Sequence, residues 1–143
     1  MPTPVAGYSG TPLPKKLGLK EGCAVVLLNA PAGIEKWLQP LPTGASLVSK
    51  LAASNALVVV FCKDMEALKK SLPTVSKKLP ADGSLWIAWP KKASKLFVDL
   101  TEDGIREVVL PTGLVDVKVC AVNADWSGLK LMVRKEQRER WNQ

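Results

Sequence analysis

Lys91, Lys92, Ser94 and Lys95, directly after Trp89-Pro90, are the residues of this chain whose types and spacing suit a binding chemistry. Lysine ammonium groups neutralise an anion, a serine hydroxyl donates a hydrogen bond, and loop amides add further donors. The apolar run Leu85–Trp89 ahead of them reads as a strand. Pro90 ends it, because proline fixes φ and removes a ladder donor. In open α/β sheets, ligands bind outside the carboxyl ends of strands. Lys91, Lys92, Ser94 and Lys95 are therefore expected to form an anion site, with Trp89 at the strand mouth placed to stack on a ligand. Asn29-Ala30-Pro31-Ala32-Gly33 follows an earlier strand and has small side chains that allow close approach, so Asn29 joins the candidate ligand-binding set. A solvated loop and a tight connection account for the same two segments without a ligand.

Other chemistries are missing. The chain has no histidine, which removes Ser-His-Asp and Cys-His nucleophile constellations and imidazole metal sites. Neither the glycine-rich dinucleotide fingerprint nor the P-loop pattern occurs. No catalytic residue, metal ligand or cofactor is assigned, and the sequence leans away from an enzyme. Cys23, Cys62 and Cys120 each fall inside an apolar run with no Cys-x-x-Cys pair, so they are expected to be reduced, mostly buried thiols of a cytoplasmic protein.

The formal net charge of +7 over 143 residues permits, without requiring, contact with nucleic acid, phosphorylated ligands or an anionic membrane. Much of the excess lies in lysine pairs at 15–16, 69–70, 77–78 and 91–92, the pattern of a solvated face. Arg134, Lys135, Arg138 and Arg140 with Trp141 form a basic tail. No apolar run approaches the roughly 20 residues of a membrane span, and the N-terminus lacks a charged-then-apolar signal pattern. A membrane partner is not expected, and the oligomeric state is not assigned.

Proline and glycine crowd residues 1–18, read as an extended N-terminal arm with one helical turn near Leu13–Gly18. Residues 19–135 read as a single domain, and 136–143 as a charged tail. Within the domain, Cys23–Leu28 and Ala56–Cys62 are continuous apolar runs of the kind buried on both sheet faces. A helix is expected from an Asp64 cap through Leu79, with Pro73 kinking it. Another starts from Asp99 as cap and runs through Leu110. Leu114–Val122 and Leu129–Arg134 read as a hairpin. Val26, Leu28, Val58, Val60, Trp86 and Val119 are the expected core. Trp86 and Trp89, an odd number apart, should face opposite sides of the sheet. Strands alternating with helices predict an α/β, Rossmann-like three-layer sandwich with a mostly parallel sheet and a C-terminal antiparallel hairpin. That ending resembles class I methyltransferases.

Further segments carry a family resemblance: Tyr8–Leu13, Leu17–Gly22, Asn29-Ala30-Pro31, Asp82–Lys95 with its Trp-Pro-Lys-Lys stretch, Gly113–Val122 and Trp126–Leu129. Together they resemble a family of small bacterial proteins labelled only as a domain of unknown function. The resemblance implies a bacterial, cytoplasmic, single-domain protein and transfers no catalytic residue. The expected function is a non-catalytic binding module for an anionic small molecule or an acidic protein surface. The alternatives are a nucleic-acid contact protein and a methyltransferase-like enzyme relic.

Overall fold

Two apolar runs dominate the architecture. Ala24–Leu28 (β1) and Leu57–Phe61 (β3) lie side by side as parallel strands. The stiff β-branched side chains of Val25, Val26, Val58, Val59 and Val60 suit a pleated surface, and all five are buried. The computed structural model describes residues 12–141; the expected arm up to Thr11 and the last two residues of the tail lie outside the described residues. Ser46–Val48 (β2) pairs with the outer side of β1, and Ser84–Pro90 (β4) with the far side of β3, both in parallel. Leu114–Ala121 (β5) and Trp126–Val133 (β6) form the C-terminal hairpin. The full order is β2-β1-β3-β4-β6-β5. It is β6 that pairs with β4, antiparallel, with Pro90 opposite Trp126, so β5 becomes the outer edge.

Alternation along the strands splits the core into two layers. Val26, Val58, Val60, Ile87 and Trp89 pack beneath the helices Met65–Lys77 (α2) and Glu102–Val109 (α3). Val25, Leu27, Val59, Phe61 and Trp86 pack on the other side, under the short helix Leu13–Leu17 (α1) and the 3₁₀ turn Ile34–Leu38. Trp86 and Trp89 thus serve opposite layers, as their spacing requires. Leu13 and Leu17, in the helical turn expected near Leu13–Gly18, are buried in this second layer and cover the sheet. No helix among the described residues is long and apolar enough to cross a membrane.

Four expectations are corrected. Val119 is 44% exposed, because the outermost strand has a neighbour on one side only. Leu28 is half-buried at the end of β1. Cys62 is buried, but Cys23 and Cys120 are half-buried; all three thiols are free. The cap of α3 is Thr101, whose side chain accepts from the Gly104 amide at 3.1 Å. Asp99 instead accepts from the Met65 amide at 2.9 Å and ties the start of α2 to the loop before α3. At α2 itself Asp64 does cap, accepting from the Ala67 amide at 2.9 Å, and the helix continues past Pro73. Beyond β6, Lys135–Arg140 winds as a 3₁₀ turn. Trp141 then donates its indole N–H to the Leu79 carbonyl at 2.8 Å, fastening this segment to the domain.

Candidate functional site

Hollows open at the carboxyl ends of the parallel strands. After β4 the chain is held by backbone and side chain together. The Lys91 amide donates to the Asp125 carbonyl at 2.8 Å, and the Ser94 hydroxyl donates to the Asp125 carboxylate at 2.9 Å. Ser94 also accepts from the Leu96 amide at 3.0 Å. Ser94 therefore shapes the loop, since its proton is already engaged. A cavity of about 330 Å³ opens beside this loop, lined by Trp89, Lys91, Lys92, Leu100, Thr101, Glu102, Asp103 and Ser127. Lys95 is exposed and does not line it.

Across from the two lysines, Glu102 and Asp103 bring negative charge from the first turn of α3. Arg106 pairs with both and also donates to Asp116 of β5 at 3.1 Å. The hydrogen bond to Glu102, followed by that to Asp116, holds the guanidinium pKa above its ordinary value. Arg106 thus offsets only part of that negative charge, while Lys91 and Lys92 have no carboxylate ion-paired to them among the described residues.

Asn29 belongs to a different place. The chain leaves β1 toward β2 on one side and later returns to β3 on the other, which makes the β1–β3 boundary the topological switch point. There a hollow of about 310 Å³ is lined by Asn29, Phe61, Lys63, Ala67 and Trp126. Asn29 holds a left-handed backbone (φ 57°), a conformation an asparagine tolerates better than most residues. Phe61 and Trp126 meet edge to face with centroids 5.3 Å apart. Cys62, next in the chain, is no nucleophile: burial, then the charge of Asp64, pushes its thiol pKa up to about 12. A third hollow, about 440 Å³, lies between the ends of β1 and β2, against Ala30-Pro31-Ala32-Gly33 and Leu47-Val48-Ser49.

The expected ligand set is therefore divided. Trp89, Lys91 and Lys92 come together, Ser94 supports their loop, Lys95 lies outside the lining and Asn29 lines a separate hollow. Thr101, Glu102, Asp103 and Ser127 were not foreseen. Ser127 reaches Trp89 through antiparallel pairing of β4 with β6, and the hairpin pattern alone does not name its partner strand. Among the described residues, no group of three or more cysteine or acidic side chains is placed to hold a metal ion.

Solved structures similar to this chain share its fold at low identity. The N-methyltransferase NodS from Bradyrhizobium japonicum WM9 is 14% identical with a TM-score of 0.54, over 80% of this chain and 88% of that one. A TehB-like SAM-dependent methyltransferase from Corynebacterium glutamicum is 11% identical with a TM-score of 0.52, over 90% and 91%. These likenesses establish a Rossmann-like sheet of the methyltransferase kind. Comparison with curated proteins gives no match. A family described as "Protein of unknown function (DUF3052)" matches residues 42–135, more than half of the chain, and the protein belongs to that family.

Proposed function

We propose that the protein is a non-catalytic binding module that takes a small molecule with an anionic group in the cavity after β4. The observation that carries this reading is the meeting of Lys91 and Lys92 with Trp89 and Ser127 on one cavity of about 330 Å³. The lysines neutralise the anionic group, Ser127 offers a hydroxyl, and Trp89 forms an apolar floor. Glu102 and Asp103 on the opposite wall repel a ligand that is anionic throughout. The ligand class is therefore a compact zwitterion, or an anion whose other end donates hydrogen bonds.

The likeness to SAM-dependent methyltransferases supports a second reading, a relic of that enzyme class. The residues fit its cofactor poorly. In nucleotide-binding sheets the turn after the first strand is glycine-rich so that backbone approaches the ligand and a helix N-terminus meets it. Here four of the five turn positions, Asn29-Ala30-Pro31-Ala32, carry side chains, and Pro31 removes an amide donor. A five-residue 3₁₀ turn follows in place of an α-helix. The end of β2, Val48-Ser49-Lys50, supplies no carboxylate for ribose hydroxyls. No methyl-transfer step is derived.

A thermal-shift panel of small carboxylates, phosphates and zwitterionic amino acids, with SAM as one member, tests both readings. Stabilisation by a zwitterion or single-anion compound that disappears in Lys91→Ala/Lys92→Ala is the expected result. No response to any such compound, or a response equal in the variant, overturns the binding reading. Stabilisation by SAM alone reverses the order of the two. Oligonucleotide binding that falls steeply with salt and survives the double substitution favours a nucleic-acid contact protein.

A further inference from the structure

The opposite side of the sheet gathers four lysines that are far apart in sequence. Lys16 lies in α1 and Lys20 just after it, Lys118 is on β5 and Lys130 on β6. Register brings the strand residues together: Lys130 stands directly across from Trp86 on one side and from Lys118 on the other. Directly opposed residues share a sheet face. The Lys118 ammonium nitrogen lies 5.9 Å from the centre of the Trp86 ring, within range of a cation–π attraction.

Trp86 also sets the other two lysines. Its indole N–H donates to the Leu17 carbonyl at 3.0 Å, which anchors α1, between Lys16 and Lys20, over the same strands. Lys16 and Lys118 both act on the Cys120 thiol, and Lys118 and Lys20 both act on Lys130. Among the described residues, no carboxylate forms an ion pair with any of the four.

This arrangement works against folding. Like charges on directly opposed strand positions destabilise a sheet, and Lys130 is half-buried. Burial first, then Lys118 and Lys20, pulls the Lys130 pKa below its ordinary value. A bound anion relieves all of these penalties at once.

We infer that Lys16, Lys20, Lys118 and Lys130 form a binding site for a compact oligophosphate group, distinct from the cavity after β4. The Lys118 ammonium lies over Trp86, Lys130 stands opposite both, and Lys16 and Lys20 flank the Leu17 carbonyl that Trp86 holds, an arrangement that matches several phosphate charges held in a short span. A single-stranded nucleic acid calls for a basic groove that tracks its backbone, with open aromatic faces for its bases. Trp86 is fully buried and offers no such face.

Titration calorimetry with inorganic tripolyphosphate at low salt, on the full chain, tests the site. Wild type is expected to bind, with affinity at least tenfold weaker in Lys118→Gln and no measurable binding in Lys118→Gln/Lys130→Met. Lys91→Ala/Lys92→Ala is expected to bind as wild type, which separates this site from the cavity after β4. Without the anion, Lys130→Met should unfold at higher urea than wild type, since it keeps the apolar stem and removes the repulsion. Lys118 is exposed, so Lys118→Gln reports on binding even if Lys130→Met fails to fold. The inference is overturned if tripolyphosphate does not bind, if Lys118→Gln binds as wild type, or if the loss appears in Lys91→Ala/Lys92→Ala instead. Tighter binding of a short oligonucleotide than of tripolyphosphate overturns it as well.

Discussion

Replacing Trp86 with phenylalanine removes the bond that holds α1 against the sheet, and its cost can be worked from the structure. Trp86 is fully buried, and its N–H is the donor to the Leu17 carbonyl. Losing that bond costs about 0.5–1.5 kcal/mol. The phenyl ring also lacks about two buried carbons, at about 0.8 kcal/mol each. The sum is about 2–3 kcal/mol, a fall in Tm of about 6–12 °C for a chain of this size. Urea unfolding should show a lower midpoint with an unchanged slope, the sign of altered stability in an intact two-state fold. A double-mutant cycle sharpens the test. A methyl group added at Gly128 meets the six-membered ring of Trp86 at 3.1 Å, so Gly128→Ala should destabilise wild type. The smaller ring of Trp86→Phe opens that space, and the two changes should couple by about 1 kcal/mol. Additive effects, or a loss under about 1 kcal/mol for Trp86→Phe, would refute the packing described for this layer.

Two further outcomes are expected. Thr101→Ala should cost about 1 kcal/mol through loss of the α3 cap; equilibrium unfolding checks this, and a stability equal to wild type would refute the cap. Cys62 should resist alkylation in the native protein at pH 9, because its thiol pKa of about 12 keeps it protonated where an ordinary thiol near 9.0 ionises. The same shift links to stability. The folded state holds the Cys62 proton more tightly, so Cys62 favours folding below pH 9. That contribution declines as pH rises from 9 toward about 12, by about 1.4 kcal/mol per unit. Comparing the pH dependence of unfolding in wild type and Cys62→Ala isolates this contribution, and parallel curves would contradict it.

Local pattern was enough for much of this protein. The β-branched runs around Val25 and Val58 declare strands buried on both faces, because their length is that of a strand and their stiff side chains fit a pleated surface covered from both sides. Pro90 marks the end of β4, Gly18 the end of α1, and the odd spacing of Trp86 and Trp89 assigns them to opposite layers. The strand–helix alternation with a closing hairpin implies the fold class. Tertiary structure alone decided what these elements bring together. Pairing partners are non-local, so nothing near Trp89 foretells that Ser127 will stand beside it, or that Asn29 will line a different hollow. The edge position of β5 leaves Val119 exposed although its own sequence reads as core. Thr101 takes the α3 cap because Asp99 is engaged by the start of α2, a competition between segments 34 residues apart. Lys118 and Lys130 look like ordinary surface lysines until antiparallel register sets them across from each other. Burial, neighbours and charge at a site belong to the assembled sheet, while the periodicity that builds the sheet belongs to the chain.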